Sequence, residues 1–193
     1  ALKKTGEAAE ILILVATSGD TGKAALEGFA DVDQIKILVF YPTGGVSKIQ
    51  NLQMCTQKGG NVRVVAVKGN FDDAQNGVKE IFGDKAFGEK LAAGNVKLSS
   101  ANSINISRLL PQSFYYMYAA LAVRNRAPLY NKLADPAIIV IVPSGNFGNL
   151  TSGLIAREQG APITGFVAAT NTNHTVPDWI ATGNYTARPS VET

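Results

Sequence analysis

Five short apolar runs recur along this chain, and none of them shows the polar alternation of a half-exposed strand. They occupy residues 11–15, 35–40, 62–67, 137–142 and 163–168. Segments with helical period lie among them, at 21–30, 46–57, 71–86, 104–126 and 148–159. Apolar runs of this kind are typical of parallel strands buried on both faces, and parallel strands are joined by crossovers that are usually helical. The sequence therefore predicts an α/β fold with helices on both faces of its parallel sheets.

A passage rich in Gly, Lys and Ala, residues 83–95, separates the third helical segment from a short apolar run at 96–98. Such changes in composition often mark domain boundaries, so we predict one domain over 1–95 and a second over 96–193. Pro111 falls inside the helical segment 104–126, where it removes one backbone hydrogen bond. That helix is therefore expected either to kink or to begin near Leu110.

Composition and charge exclude several classes of protein. The 193 residues include 18 Lys or Arg against 15 Asp or Glu, a net charge of +3, and the basic residues are scattered, so no nucleic-acid partner is expected. Cys55 is the only cysteine; it excludes an internal disulfide and a CxxC metal site, and it suits a reducing, cytoplasmic setting. No apolar run approaches the roughly 18 residues of a membrane helix, so no membrane span is expected.

One turn that follows a strand stands out, because ligands of open α/β sheets bind beyond the carboxyl ends of the strands. It has the sequence ATSGDTGK at 16–23 and runs from the first strand directly into a helix. It offers hydroxyl groups, glycines that let a ligand approach the backbone, and N–H groups at a helix start. These features suit a carboxylate or phosphate ligand, and the alternative is an ordinary connecting turn, which is routine in α/β proteins. A second turn of the same kind, described below, favours the ligand.

Two named motifs compete for the same turn. The dipeptide GK at 22–23 resembles the end of a P-loop, but that motif needs Gly in place of Thr17 and Ser or Thr in place of Ala24. The tripeptide DTG at 20–22 matches aspartic proteases, whose chemistry needs a second, paired Asp. An ATPase is therefore disfavoured, and a protease is rejected.

A second turn, PSGNFGN at 143–149, connects the fourth apolar run to the helical segment that follows. Its two glycines allow a tight anion-binding turn, and the helix dipole adds about half a positive charge at the helix start. The turn contains no Lys or Arg. Backbone amides and small polar side chains would therefore do the binding, which favours a phosphate.

A third group, Asn102, Ser103 and Arg108, lies at the start of the long helical segment. The planar guanidinium of an arginine binds anions through two parallel hydrogen bonds, so the three residues are candidates for one anion site. The alternative is a capped helix start with a surface arginine. On the residues alone, the alternative is favoured.

In this order, the motifs resemble those of the threonine synthase family, pyridoxal-phosphate enzymes of fold type II. The matching stretches are VATSGDTGKAA at 15–25, VSKIQNLQM at 46–54, FDDAQ at 71–75, NSINISRLLPQSFYY at 102–116, VPSGNFGN at 142–149 and FVAATNTNHTVPDWIATGNY at 166–185. The resemblance implies parallel three-layer α/β/α sheets, incomplete in this chain. It also implies a lyase of threonine biosynthesis that converts O-phospho-L-homoserine and water to L-threonine and phosphate by β,γ-elimination and replacement.

The same resemblance implies roles for the residues of the three groups. The cofactor pyridoxal 5′-phosphate would be held through its phosphate by Ser144, Gly145, Asn146, Phe147, Gly148 and Asn149. Asp20 occupies the position where many relatives have an Asn beside the 3-hydroxyl of the cofactor. The substrate α-carboxylate would be bound by Thr17, Ser18, Gly19 and Thr21. The substrate phosphate would be bound by Asn102, Ser103 and Arg108, which reverses the preference for a capped helix start. No metal is implied.

The lysine that carries the cofactor in this family lies in a Phe-Lys-Asp motif, and no such tripeptide occurs in the 193 residues. No catalytic residue is therefore assigned within this chain. The chain is interpreted as an internal fragment that is inactive alone, and its open sheet edges are expected to favour self-association. Two alternatives stay open: a non-catalytic module that binds a phosphate ligand, and another fold type II enzyme such as a threonine dehydratase or cysteine synthase relative.

Overall fold

The structure, a computed structural model, describes residues 5–102, 105–131, 136–186 and Arg188, with only the backbone of 127–131. It forms two compact units, Ala1–Ile104 and Asn105–Thr193. The boundary therefore falls later than the predicted position between residues 95 and 96. The reason is that Val96–Ser100 forms a strand that pairs with the first strand of the chain, which places it in the first unit.

The first unit alternates strands and helices along the chain. Its elements are β1 Glu10–Ala16, α1 Asp20–Phe29, β2 Ile35–Pro42, α2 Lys48–Cys55, β3 Val62–Val67, α3 Phe71–Gly83, α4 Lys85–Ala93 and β4 Val96–Ser100. The four strands are all parallel, in the order β3-β2-β1-β4. In this sheet Leu14 of β1 lies between Leu38 and Ser100. The predicted parallel sheet is confirmed.

Helices cover both faces of this four-stranded sheet. Since side chains alternate along a strand, odd-numbered residues of β1 face α1 and α2, in a core that includes Ile13, Val15, Ala25, Leu26 and Met54. Even-numbered residues face α3, in a core that includes Leu14, Ala16, Ala74 and Val78. The first unit is therefore a three-layer α/β/α arrangement, and the apolar run of β1 lacks polar alternation because it packs against helices on both faces.

The predicted helix over 71–86 is two helices in the structure. Asp84 separates them: its N–H donates to Glu80 O over 2.9 Å, and its side chain accepts from the N–H of Phe87 over 3.0 Å, which caps α4. Most of the Gly-, Lys- and Ala-rich passage is therefore helical and is not a linker. An Asp before a stretch of helix formers is an N-cap signal, which the composition of the passage obscured.

The second unit contains α5 Ile106–Asn131, β5 Ile139–Pro143, α6 Gly148–Glu158, β6 Gly165–Ala169 and α7 Thr175–Thr182. Strands β5 and β6 are parallel, and α5 and α6 pack on one face of the pair through Tyr116, Ala120 and Ala156. Ile139 and Ile141 point to the other face and are 61 % and 68 % exposed. The short helix α7 was not predicted.

Helix α5 begins at Ile106 and includes Pro111 in its second turn. Of the two alternatives, a kink or a start near Leu110, the start near Leu110 is therefore wrong. A proline this close to the helix start leaves one carbonyl, that of Ser107, without its usual N–H partner. None of the helices in the described part of the chain is both long and apolar enough to cross a membrane.

Candidate functional site

The first candidate loop, residues 17–22, connects β1 to α1 and is organised by Thr17. This side chain is 2 % exposed. Its hydroxyl donates to Gly19 O over 2.9 Å and accepts from the N–H groups of Gly19 and Gly22, each over 3.0 Å. A hydroxyl has one hydrogen and two lone pairs, so that of Thr17 is fully used. Thr17 therefore shapes the loop, and its predicted contact with a carboxylate is not available to its hydroxyl.

The rest of the first loop offers hydrogen-bond donors. Ser18 is exposed, and within the described residues neither its hydroxyl nor its N–H has a partner; the N–H of Asp20 also has none. Thr21 lies half-buried in the first turn of α1, whose N-cap residue is Gly19. The N–H groups of Ser18 and Asp20, together with the helix dipole, favour a bound anion. The local geometry thus suits the predicted carboxylate site, with Ser18 as the most accessible donor.

Asp20 is linked to a residue that the sequence analysis missed. Its Oδ1 accepts a hydrogen bond from Gln50 Nε2 over 3.0 Å. Gln50 belongs to α2, whose start is a capping box formed with Ser47. The pattern Ser-x-x-Gln is a recognised helix-start signal, so the sequence contained the information that places Gln50 at this turn of α2.

Asn102 extends the pairing of β1 and β4 beyond its last backbone pair. Its Nδ2 donates to Ala16 O over 2.7 Å, and its Oδ1 accepts from the N–H of Ala16 over 3.0 Å. The Ser100 hydroxyl accepts from the N–H of Asn102 over 3.1 Å. Asn102 is 9 % exposed. Its amide therefore holds the end of β1, directly before the first loop, and only one Nδ2 hydrogen remains for a ligand.

The three residues expected to bind a substrate phosphate are divided between the two units. Asn102 ends the described part of the first unit, Arg108 lies half-buried in the first turn of α5, and Ser103 lies outside the described residues. Asn105 directly precedes α5, and its Oδ1 accepts from the N–H of Ser107 over 3.0 Å. The capped helix start is therefore present, and the anion site that these residues would form stays a prediction.

The second candidate loop, residues 144–149, connects β5 to α6. Ser144 is buried and tied to the strands: its N–H donates to Ala169 O over 2.8 Å and its hydroxyl to Val142 O over 2.9 Å. From Gly145 to Asn149, five successive backbone N–H groups have no partner within the described residues. Successive unpaired N–H groups at a helix start are a common anion-binding arrangement.

Phe147 has a left-handed backbone, with φ 56° and ψ 6°, and Gly148 begins α6 directly after it. A non-glycine residue in this region costs roughly 1–2 kcal/mol. A left-handed residue next to a right-handed one turns neighbouring N–H groups toward the same side, which forms a concave anion site. The strain therefore coincides with the segment that was predicted to hold a phosphate.

Asn149 uses its side chain to attach α6 to α5. The Tyr116 hydroxyl donates to Asn149 Oδ1 over 2.5 Å, Asn149 Nδ2 donates to Gln112 Oε1 over 3.0 Å, and the same nitrogen bonds the hydroxyl of Tyr115. Burial raises the pKa of the Tyr116 hydroxyl, which keeps it protonated as the donor. The amide of Asn149 is therefore occupied, and only its backbone N–H remains for the predicted phosphate.

Comparison with known proteins gives consistent results, although no protein-family model matches the chain. It is 45 % identical over 184 residues to a threonine synthase of Haemophilus influenzae, covering 95 % of this chain and 40 % of that protein. The crystal structure of threonine synthase from Escherichia coli superposes with a TM-score of 0.85 at 41 % identity, covering 100 % of this chain and 42 % of the other.

A PLP-bound threonine synthase from Brucella melitensis superposes with a TM-score of 0.77 at 39 % identity, covering 100 % of this chain and 38 % of the other. The α/β architecture is that of fold type II, as the resemblance implied, and it is incomplete because the chain spans about two fifths of the length of these relatives. By sequence and by fold, the chain is homologous to the threonine synthases over that portion.

Proposed function

We propose that this chain is part of a threonine synthase that uses pyridoxal 5′-phosphate and converts O-phospho-L-homoserine and water to L-threonine and phosphate in the cytoplasm. The observation that carries the proposal is the row of unpaired N–H groups from Gly145 to Asn149 around the strained Phe147. A dianionic phosphate fits such a donor set, because it needs many neutral donors when no cation lies nearby in the loop. The homology to threonine synthases supports the same assignment.

In this proposal the two loops bind and orient. The N–H groups of 145–149 hold the cofactor phosphate, Ser18 and the start of α1 bind the substrate carboxylate, and Asp20 lies at the cofactor ring. When bound, the cofactor supplies an electron sink for carbanions formed at the substrate. Arg108 neutralises the substrate phosphate as it leaves, since a guanidinium binds the phosphate group through two hydrogen bonds. The first unit then acts as the carboxylate-loop domain and the second as part of the cofactor-phosphate domain.

Proton transfers in fold type II enzymes depend on the lysine that carries the cofactor, and no Phe-Lys-Asp occurs among the 193 residues. We therefore expect this chain alone to be inactive while it still binds the cofactor phosphate. A non-catalytic module that binds phosphate ligands remains the second candidate. Turnover of O-phosphohomoserine by the full-length protein separates the two, because a binding module would give none.

The phosphate site is tested with two ligands that lack an aldehyde and so cannot react with surface lysines. Calorimetry should show that this chain binds pyridoxine 5′-phosphate at least tenfold more tightly than pyridoxine, because only the former reaches the N–H groups of 145–149. Asn146→Asp should remove most of this difference, since a carboxylate beside the N–H groups of 145–149 repels the phosphate. The side chain of Asn146 is exposed and has no hydrogen-bond partner within the described residues, so α6 should persist.

The matched control is Gln159→Glu, which adds the same charge at the other end of α6, roughly 15 Å away. It should leave both affinities unchanged. Equal affinities of the parent chain for the two ligands would contradict the proposed phosphate site. An equal loss of affinity in both variants would show a general effect of charge.

We also propose that the chain self-associates through apolar sheet surface. Ile139, Ile141 and Val167 are exposed on one face of the β5–β6 pair, and surfaces of this kind favour association. Light scattering at rising concentration should show oligomers. Ile141→Lys should reduce them strongly, whereas Thr151→Lys, an exposed site on α6, should not. A monodisperse monomer at high concentration would contradict this expectation.

A further inference from the structure

Gln50 lies outside both candidate loops, yet its side chain reaches the first of them. Its Nε2 donates to Asp20 Oδ1 over 3.0 Å, across 30 residues of sequence. Asp20 is exposed, so this hydrogen bond competes with water. It can fix the carboxylate only if Gln50 is itself held in place by other contacts.

The capping box of α2 holds Gln50. The N–H of Ser47 donates to Gln50 Oε1 over 3.1 Å, and the N–H of Gln50 donates to Ser47 Oγ over 3.2 Å. Because the amide oxygen is used by Ser47, the amide nitrogen is the end that faces Asp20. A side-chain amide nitrogen is only a donor, so it selects an acceptor at position 20. Helix capping therefore orders Gln50 before any ligand binds.

Gly19 provides a second, independent indication of the same contact. A Cβ atom at this position would lie 2.7 Å from Gln50 Nε2 and 3.2 Å from its Cδ. Real Cβ contacts do not fall below 3.0 Å, so a side chain at residue 19 would displace the Gln50 amide. The glycine thus leaves the space through which Gln50 reaches Asp20.

We infer that Gln50 is a positioning residue, which holds the Asp20 carboxylate in one orientation at the start of α1 so that its second oxygen stays available to the bound cofactor ring. Oδ2 of Asp20 has no partner within the described residues. The inference rests on the proposed function, because that proposal places Asp20 at the cofactor. Gln50 acts through Asp20 and does not itself touch the reacting atoms.

The test uses a substitution that separates positioning from helix capping. Gln50→Glu keeps the capping box, because a Glu oxygen also accepts from the N–H of Ser47, but it places a carboxylate against Asp20. Gln53→Glu makes the same charge change at an exposed site of the same helix. Combining Gln50→Glu with Asp20→Asn restores a hydrogen bond with donor and acceptor exchanged.

The first measurement needs no ligand. NMR couplings between Hα and Hβ of residue 20 should report one side-chain rotamer in the parent chain and in the Gln53→Glu variant. They should report averaged rotamers in Gln50→Glu, and one rotamer again in the double variant. Averaged couplings in the parent, or unchanged couplings in Gln50→Glu, would overturn the inference whether or not the chain binds a cofactor.

The second measurement is the affinity for pyridoxine, which has the ring hydroxyl but no phosphate. Gln50→Glu should weaken binding about tenfold, the usual weight of a hydrogen bond to a charged group, and the double variant should recover most of it. Equal pyridoxine affinities of the parent and Gln50→Glu would overturn the inference and leave Gln50 as a helix cap only. If the couplings behave as expected but the parent binds neither pyridoxine nor its phosphate, the proposed function fails while the orientation of Asp20 stands.

Discussion

Asn102→Ala is expected to lower the free energy of unfolding by about 2–4 kcal/mol, because each buried polar group left without a partner costs about 1–3 kcal/mol. The side chain bonds both the N–H and the carbonyl of Ala16, and Ala16 is only 1 % exposed. An alanine leaves both groups unpaired at the end of β1. Urea denaturation followed by circular dichroism measures the loss.

Asn102→Asp sharpens this experiment. It keeps the size of the side chain and the oxygen that accepts from the N–H of Ala16, but it places a carboxylate oxygen against the carbonyl of Ala16, where the amide nitrogen now lies at 2.7 Å. It should be at least as destabilising as alanine. Asn76→Ala, on the exposed side of α3, is the control and should change stability by less than about 0.5 kcal/mol. If Asn102→Ala also changed the free energy of unfolding by less than about 0.5 kcal/mol, water would be replacing the hydrogen bonds of the amide.

Two glycines of α1 should respond in opposite directions to alanine. A Cβ at Gly22 would lie 2.5 Å from Thr17 Cγ2 and 3.0 Å from both Met54 Sδ and Val39 Cγ1, whereas a Cβ at Gly28 would meet nothing within 4 Å. Overpacking a core costs about 1–3 kcal/mol, so Gly22→Ala should destabilise by that amount. Gly28→Ala should stabilise by about 0.5–1 kcal/mol through helix propensity.

Gly22→Ala should also disturb the first loop, because the added Cβ would push the side chain of Thr17, which organises that loop. Thermal and urea unfolding of both variants show whether each substitution raises or lowers the free energy of unfolding. Hydrogen exchange of the Gly19 amide, which bonds Thr17, should accelerate in Gly22→Ala and stay unchanged in Gly28→Ala. If both substitutions stabilised the protein, the side chains around Gly22 would be able to move aside for a Cβ with no loss of stability.

Much of the fold could be predicted from the sequence, since buried parallel strands and amphipathic helices leave strong local patterns. The strands over 35–40 and 62–67, for example, lie within β2 and β3. The assignment of Val96–Ser100 to the first unit could not be predicted, because a five-residue strand takes its place from the partner it pairs with, here β1. Similarly, Asp84 caps a helix within a passage whose composition suggested a linker.

The candidate site could likewise be predicted only in part from the sequence. The two loops were found because glycines and small polar residues between a strand and a helix are visible in sequence. The hydrogen bonds of individual side chains could not be predicted in this way. Thr17, Asn102 and Asn149 are all predicted to contact a ligand, but in the structure their polar side-chain atoms are largely bonded to the protein itself. Side chains from distant elements satisfy or compete for these atoms, and no local pattern contains that information.

The second loop has a consequence for how its binding could be dissected. Its five open donors are main-chain N–H groups, which every residue except proline carries and which do not titrate. An alanine scan of Asn146 and its neighbours would therefore remove side chains while leaving the donors in place. Any pH dependence of phosphate binding at this loop would arise from the ligand. Because the backbone recognises the ligand, phosphate binding at this loop should tolerate neutral side-chain substitutions, and its donors should not change with pH.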